Sequence, residues 1–474
     1  GHAVAYGANL LGSVFTRNTR PIHLREDQHS RVGNQTADGE VYQKPVLREI
    51  WRHEAHLKDL DPGKRISYRI TSITEKSELV SSRTYTLEPA PPIGKPLKIL
   101  LTSDHQIKPM VAANLQKVRE TFKRIDAVFF AGDLVNIPDR ASEWFDDNRG
   151  NAFFPCLQGR AKYVMEYDGV QTTYKGGQIL QNAPIFPCVG NHEAMGRLNT
   201  GKTLNEEFND TIPRDVAREL YGEKYVEDNS FNTNTFEKIF NLPETETGEK
   251  GYYAVSFGDV RLIALNVTNM WRHPTTENSR RGKYAEPQSE LKNRENWGYG
   301  QHIYEPIAKG STQYNWLVKE LSSLEFMSAR FKVVMFHHPP HTLGDNIVPA
   351  YTDPVQRIER DNNGKITSVR YEYPKEKDYI IHHLIPLLEE ARVQLVLYGH
   401  SHLWNRFVSS SGMHFLETSN VGNSYGAAYG DRKRTNLPDI VNDNYTEIGD
   451  PYGLEPVVPS INPLLDENGK PLPY

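Results

Sequence analysis

Cysteine is nearly absent from this 474-residue chain, which has only Cys156 and Cys188. Two cysteines cannot build a disulfide scaffold, and these are not spaced as a zinc motif. They read either as two buried thiols or as one disulfide that would mark an oxidising compartment, and spacing leaves both open. Also missing is any apolar run of about eighteen residues, so no membrane-spanning helix is expected. There is no excess of positive charge either: 55 Lys and Arg against 60 Asp and Glu, a net charge of −5 with no long basic block. That balance argues against nucleic acid as the main partner. The chain opens on Gly1, a start compatible with an export signal already removed.

What is present suits one large catalytic domain and a smaller companion. Residues 1–90 carry alternating apolar positions such as Ile66, Tyr68 and Ile70, after a turn at Leu60, Asp61, Pro62 and Gly63. They read as a small all-β domain, with a proline-rich linker at 91–97. From Lys98 short apolar runs alternate with helical periodicity, the pattern of helices covering a sheet. Strands are expected at 98–102, 127–130, 185–189, 252–257, 260–266, 331–336 and 393–397. A helix is expected between the first two, and others near 313–325 and 378–390. Polar stretches at 138–181, 194–234 and 271–309 read as surface excursions, and 431–474 as an extended C-terminal segment.

The chemistry lies in where ligand-type residues fall. Asp104 with Gln106, Asp133, Asn191 with His192, His337, and His400 with His402 each follow an apolar strand. Residues at the carboxyl ends of neighbouring strands converge on the crevice of an α/β sheet, so these groups can meet in space. Singly each is weak: a Gly-Asp pair is usually a turn and a lone histidine usually structural. Five groups in this order, each directly after a strand, are hard to obtain by accident. Carboxylate, amide oxygen and imidazole without thiolate suit zinc, manganese or iron.

The order D-x-Q, G-D, G-N-H-E, H-x-P, G-H-x-H resembles that of the calcineurin-like metallophosphoesterases over residues 98 to about 419. Phe236, Phe240 and Pro243, the segment 251–266, and Gln313, Trp316 and Leu317 are similar to segments of its purple acid phosphatase branch. The first ninety residues resemble the fibronectin III-like domain found there, with leading strands missing. The resemblance implies an α/β (α+β) fold: a four-layer metallophosphoesterase β-sandwich flanked by helices, its catalytic domain at 98–430. It also implies that Asp133 bridges two metal ions, that Asp104, Gln106 and His402 complete one site, and that Asn191, His337 and His400 complete the other. A metal-bound hydroxide would then hydrolyse a phosphate monoester or diester.

His192 is the expected general acid, with Glu193 orienting it, or else it simply supports Asn191. His338 and His341 read either as substrate contacts or as polar residues on a stiff turn. Arg140, Arg197 and Arg406 are candidates to meet phosphate charge, and Tyr425 and Tyr429 to line an entrance. Two departures stand out. Asn136 occupies the position of the branch's iron-binding tyrosine, so a purple ferric site is not expected. Gln106 stands where many relatives have histidine, which favours manganese or iron. His105 is an alternative ligand, but in an extended segment it points away from Asp104 and Gln106. The partner expected is a small phosphate ester, at a secreted or periplasmic location by resemblance. The competing readings are a protein phosphatase or nuclease, disfavoured by the lack of a basic groove, and a metal-containing binding protein that has lost catalysis.

Overall fold

The computed structural model describes residues 2–19, 23–199, 201–245, 251–271, 282–345, 352–438 and 443–457. Two sheets pack face to face. The first is parallel, with Ile99–Thr102, Ala127–Phe130 and Ile185–Pro187 side by side. The second runs Tyr253–Phe257, Val260–Ala264, Phe331–Met335, Leu395–Tyr398, His414–Thr418 and Trp404–Val408 across its width. Its four inner strands are parallel, and its two outer ones antiparallel to their neighbours.

Alternation along each strand builds the layers. Phe129, Leu262, Val333, Met335 and Leu397 fill the space between the sheets. Their neighbours Val128 and Phe130 face outward onto Val111 and Leu115 of the helix Val111–Phe122. On the far side Ile263, Val334 and Val396 meet Leu317 and Leu321 of the helix Thr312–Leu321 and Leu384 and Leu388 beyond. Helix, sheet, sheet, helix is the four-layer sandwich expected. Parallel strands covered on both faces are apolar throughout, which is why they were legible as runs.

Several boundaries differ from expectation. The helix expected over 313–325 stops at Leu321 and a second, Leu324–Ser328, starts on a Ser323 cap. The one expected over 378–390 opens with a wide turn, Ile380–Leu384, before Ile385–Glu390. Pro386 has no N–H to give, which removes the α-helical bond there. The excursions 138–181 and 194–234 are not bare loops. They hold the hairpin Tyr163–Tyr167 with Val170–Tyr174 and the helices Leu204–Phe208 and Arg214–Tyr221. The strands Trp404–Val408 and His414–Thr418 were not foreseen.

In the first ninety residues, His2–Tyr6, Gly12–Phe15, Ile66–Ile73, Leu79–Ser81 and Tyr85–Leu87 form an antiparallel sheet. Packing does not follow a division at residue 90. Leu24 lies in the core formed by Val111, Val128 and Trp144, and Arg25 and Asp27 are buried against the catalytic domain. Arg25 bonds Glu207 and Asp139, while Asp27 takes the N–H of Leu204 and pairs with Arg140. Cys156 and Cys188 are free thiols in two different cores. Among the described residues no helix is long and apolar enough to cross a membrane. Of the C-terminal segment, residues 439–442 and 458–474 lie outside the described residues. Asp450 within it is buried.

Candidate metal centre

All five predicted groups meet at one edge of the sandwich, because parallel strands deliver their carboxyl ends to the same side. Asp133 is the hub. Its Oδ1 accepts the His192 N–H at 2.9 Å, and its Oδ2 lies 2.7 Å from Gln106 Nε2 and 3.2 Å from His337 Nε2. On one side Asp104 accepts the His400 N–H, and His402 Nε2 stands 3.7 Å from Asp104 Oδ1. On the other, Asn191 Oδ1 is 3.1 Å from His337 Nε2 and 3.0 Å from His400 Nδ1. Ligand atoms of Asp104, Asp133 and His337 all lie within 4.8 Å of one another, as do those of His337, His338 and His400.

The backbone is bent to achieve this. Asp104, Gln106, Asp133, His400 and His402 all have positive φ, between 41° and 84°. A side chain in that region costs energy, and such residues persist where function holds them. Glycines admit the crowding: a Cβ on Gly190 would sit 2.4 Å from Asp133 Oδ1, and one on Gly399 2.3 Å from Asp104 Oδ2. His105 does turn away, bonding Thr102 Oγ1 at 3.0 Å and packing edge-on against Phe130. The cause is the turn at 104–107, with φ of 52°, 41° and 48° at Asp104, Gln106 and Ile107, and not an extended segment as argued from sequence.

The electrostatics ask for a cation. Burial disfavours charge on His337, yet Asp133 and Asp104 outweigh it and push its pKa up to about 10. Burial, with the neighbouring imidazoles, holds His400 and His338 well below the usual range, and His402 is lowered by burial to about 4. Neutral imidazole is the form that binds metal. His337 is aimed by Nδ1, which donates to the Ala131 carbonyl at 2.8 Å and leaves Nε2 facing Asp133. His402 is aimed by Asn423 at 2.5 Å and by Tyr425 stacked on its ring at 4.3 Å.

Some expectations need correction. Glu193 is buried behind the centre but orients Asp133: its carboxylate accepts the N–H groups of Asp133, Leu134 and Gly190 at 2.7–2.8 Å. The His192 ring is held instead by the Asn136 carbonyl, at 2.6 Å from Nδ1. Glu193→Gln puts an amide N–H against those donors, and is expected to weaken metal retention about 10–100-fold. Dialysis against graded chelator reads this directly, and retention equal to that of the unmodified chain would refute it.

His341, read from sequence as a substrate contact or as a polar residue on a stiff turn, is placed by the structure against the C-terminal segment. It is buried 3.0 Å from Asp450 Oδ2, with its ring against Phe415. His338 does reach the centre, 4.1 Å from the His400 ring, with Nδ1 accepting the Asn269 N–H. Arg406 lies on a strand that starts at the site and runs away from it. It pairs with His414–Thr418 deeper in the sheet, opposite Leu416. Arg140 is held by Asp27, Glu143 and Asn205, and Arg197 by Asp210 and Tyr221. Two cations escaped the sequence reading. Lys108 feels the charges of Asp133 and Asp104. Lys283, buried with its ammonium 4.9 Å above the Trp271 ring, feels His400. Both sit in polar loops that offer no pattern.

The sequence matches the family described as calcineurin-like phosphoesterase over residues 97–403, more than half of the chain. The chain belongs to that family. Among solved structures, this phosphoesterase is similar to purple acid phosphatase PPD1 from yellow lupin (Lupinus luteus) seeds. The TM-score is 0.51 at 15% identity, over 92% of this chain and 62% of the lupin chain. It therefore spans less than two thirds of the length of that enzyme, and identity this low establishes the fold alone. A dimetal phosphatase from Danio rerio is more distant, with a TM-score of 0.36 at 13% identity over 70% of this chain and 90% of the other. No curated protein matches the chain by sequence. The family implies a dinuclear metal centre, and the donor set described above fits one.

Proposed function

We propose that this phosphoesterase hydrolyses small phosphate esters with two divalent metal ions. Asp104, Gln106, His402 and the shared Asp133 would hold one ion, and Asp133, Asn191, His337 and His400 the other. Gln106 would present its oxygen after a half-turn of its amide. The observation carrying this reading is the Asn191 oxygen set against two imidazole nitrogens, of His337 and His400, the first of which also faces the carboxylate of Asp133. Carboxylate, amide and imidazole donors suit manganese, iron or zinc. Asn136 contributes its carbonyl to His192 and has no phenol to give colour to bound iron. When bound, the two ions neutralise phosphate charge, polarise the phosphoryl oxygens and lower the pKa of water.

The chain's own residues do the rest. Asp133 and Asn191 set the donor spacing. His192 packs at 5.1 Å from the Phe208 ring, with Nδ1 on the Asn136 carbonyl and Nε2 4.0 Å from Asp133 Oδ2. That keeps a proton on Nδ1 and aims Nε2 at the centre, where the ring, protonated on both nitrogens, would pass its Nε2 proton to the leaving alkoxide as the phosphorus–oxygen bond breaks. Lys283 and Lys108 add positive charge, the first near His400 and the second near His402.

His192→Ala is expected to lower kcat about 10²–10⁴-fold with both metals retained. The loss should be largest for alkyl esters and small for esters of acidic phenols, whose alkoxides need no proton. Equal losses across leaving groups would remove His192 from the acid role. The class itself is tested by stripping the protein with chelator, reloading it with manganese, zinc or iron, and assaying a chromogenic monoester and diester. Metal-dependent turnover is expected. Two bound ions without turnover of either ester would favour the binding-protein reading.

A further inference from the structure

Beside the metal centre opens a cavity of about 360 Å³. Gln106 and Asn136 stand on its wall, so it shares residues with the centre and with the hold on His192. The wall also carries four cations, Arg31, Lys108, Arg140 and Arg149, against two carboxylates, Glu143 and Asp147. Arg140 is compensated by Asp27 and Glu143, and Arg149 forms a two-pronged pair with Asp147 at 2.9 and 3.0 Å. Lys108 and Arg31 differ. Among the described residues neither has a carboxylate within ion-pair distance; Lys108 is half-buried on the cavity wall and Arg31 is exposed at its rim. Two cations on one cavity wall with no carboxylate paired to either offer an anion a place to bind.

The position of the cavity says which part of a substrate enters it. Asn136 holds the ring of His192, the proposed acid for the leaving oxygen, and also lines the cavity, which places the cavity next to the alcohol portion of a bound ester. Arg31 reaches the same place from the N-terminal segment. Its carbonyl accepts the Asn148 N–H at 2.9 Å, and the buried pairs of Arg25 and Asp27 dock the stretch before it.

We propose that this cavity receives a second anionic group carried on the alcohol portion, so that the preferred substrates are phosphate monoesters whose alcohol also bears a carboxylate or another phosphate. This rests on the hydrolase reading above. Water oxygen joins phosphorus, the ester bond to the alcohol oxygen breaks, and that oxygen takes a proton, releasing inorganic phosphate and an alcohol that keeps its second anion. Lys108 and Arg31 select the substrate, while the metal ligands act on the phosphate common to all esters.

The test compares phenyl phosphate, 3-carboxyphenyl phosphate and benzene-1,3-diyl bisphosphate on the metal-loaded full chain, reading the ratio of kcat/KM for each anionic ester to that for phenyl phosphate. The ratio is expected to exceed one by about tenfold, and to shrink with added salt because part of the attraction is screened. Lys108→Gln and Arg31→Gln should each lower it several-fold, whereas Lys117→Gln on the exposed side of a helix should not. Arg31 is itself exposed, so its replacement does not threaten folding. A high ratio for the bisphosphate alone would assign the cavity to phosphate, and high ratios for both to any compact anion. Hydrolysis of all three with a ratio near one, or a ratio unmoved by either substitution, would overturn the proposal and leave the hydrolase reading standing. No hydrolysis of any ester would overturn both.

Discussion

Asp133→Asn is expected to yield a folded protein that does not hold two metal ions and hydrolyses phosphate esters about 10³-fold more slowly, or worse. The substitution keeps shape and removes the charge. Asp133 is almost wholly buried, and both carboxylate oxygens are engaged, Oδ1 by the His192 N–H and Oδ2 by the Gln106 amide beside His337 Nε2. An asparagine there offers one oxygen in place of two and no charge, and its NH₂ faces a donor of this structure whichever way it turns. It also removes the charge that keeps His337 protonated without metal and that would offset two cations with it. Elemental analysis and the thermal midpoint with and without added metal give the readout. Metal should raise the midpoint of the unmodified chain by mass action and leave the variant nearly unchanged. A variant that retains two ions and a tenth of the activity would refute the bridging role.

Arg25→Met is expected to cost about 3–5 kcal/mol of stability at neutral pH, the usual effect of leaving buried charges uncompensated. Arg25 donates to Glu207 at 2.6 and 3.1 Å and to Asp139 at 2.9 Å, and all three side chains are at most 9% exposed. Burial works against the guanidinium, but the two carboxylates outweigh it and raise its pKa. Burial also raises Glu207 even though Arg25 lowers it, so removing Arg25 raises Glu207 further. A carboxyl whose folded pKa lies above its unfolded value takes up a proton in the folded state first, so folding is favoured as pH falls through that range. The deficit of the variant should therefore be largest near pH 7 and shrink toward acid. Denaturant unfolding at several pH values checks this. A loss under about 1 kcal/mol, or one that does not vary with pH, would mean the network contributes little.

This network shows where sequence reasoning stopped. Arg25 and Glu207 are 182 residues apart, and His341 and Asp450 are 109 apart. Neither pair has a local signature, because charge pairing across such distances depends on which surfaces the fold brings together. Thus Arg140, free on paper to meet phosphate, is held by Asp27 from a segment assigned to another domain. Arg406 suffered from the opposite assumption, since closeness in sequence to His402 gave no closeness in space once the chain entered an outgoing strand. Glu193 was placed correctly behind the centre but with the wrong partner. A glutamate two residues from Asn191 can fold back onto the backbone of Asp133 as readily as onto its neighbour.

The layers and the ligand positions were legible because they rest on short-range rules. An apolar run must be covered on both faces, and a polar residue directly after it must emerge at the strand's carboxyl end. From the sequence pattern followed helices covering a sheet and the placing of Asp104, Asp133, Asn191, His337, His400 and His402 at strand ends; the two-sheet sandwich followed from the family resemblance that their order carries. Only the tertiary structure decided how those side chains are aimed, through left-handed backbone at Asp104, Asp133 and His400 and glycines that admit the contact. It alone brought Lys108, Lys283 and Arg31 to the site and tied off Arg140 and His341. Strand ends are set by local hydrophobic pattern, whereas partners for charge are set by the packing of distant segments, which no local pattern encodes.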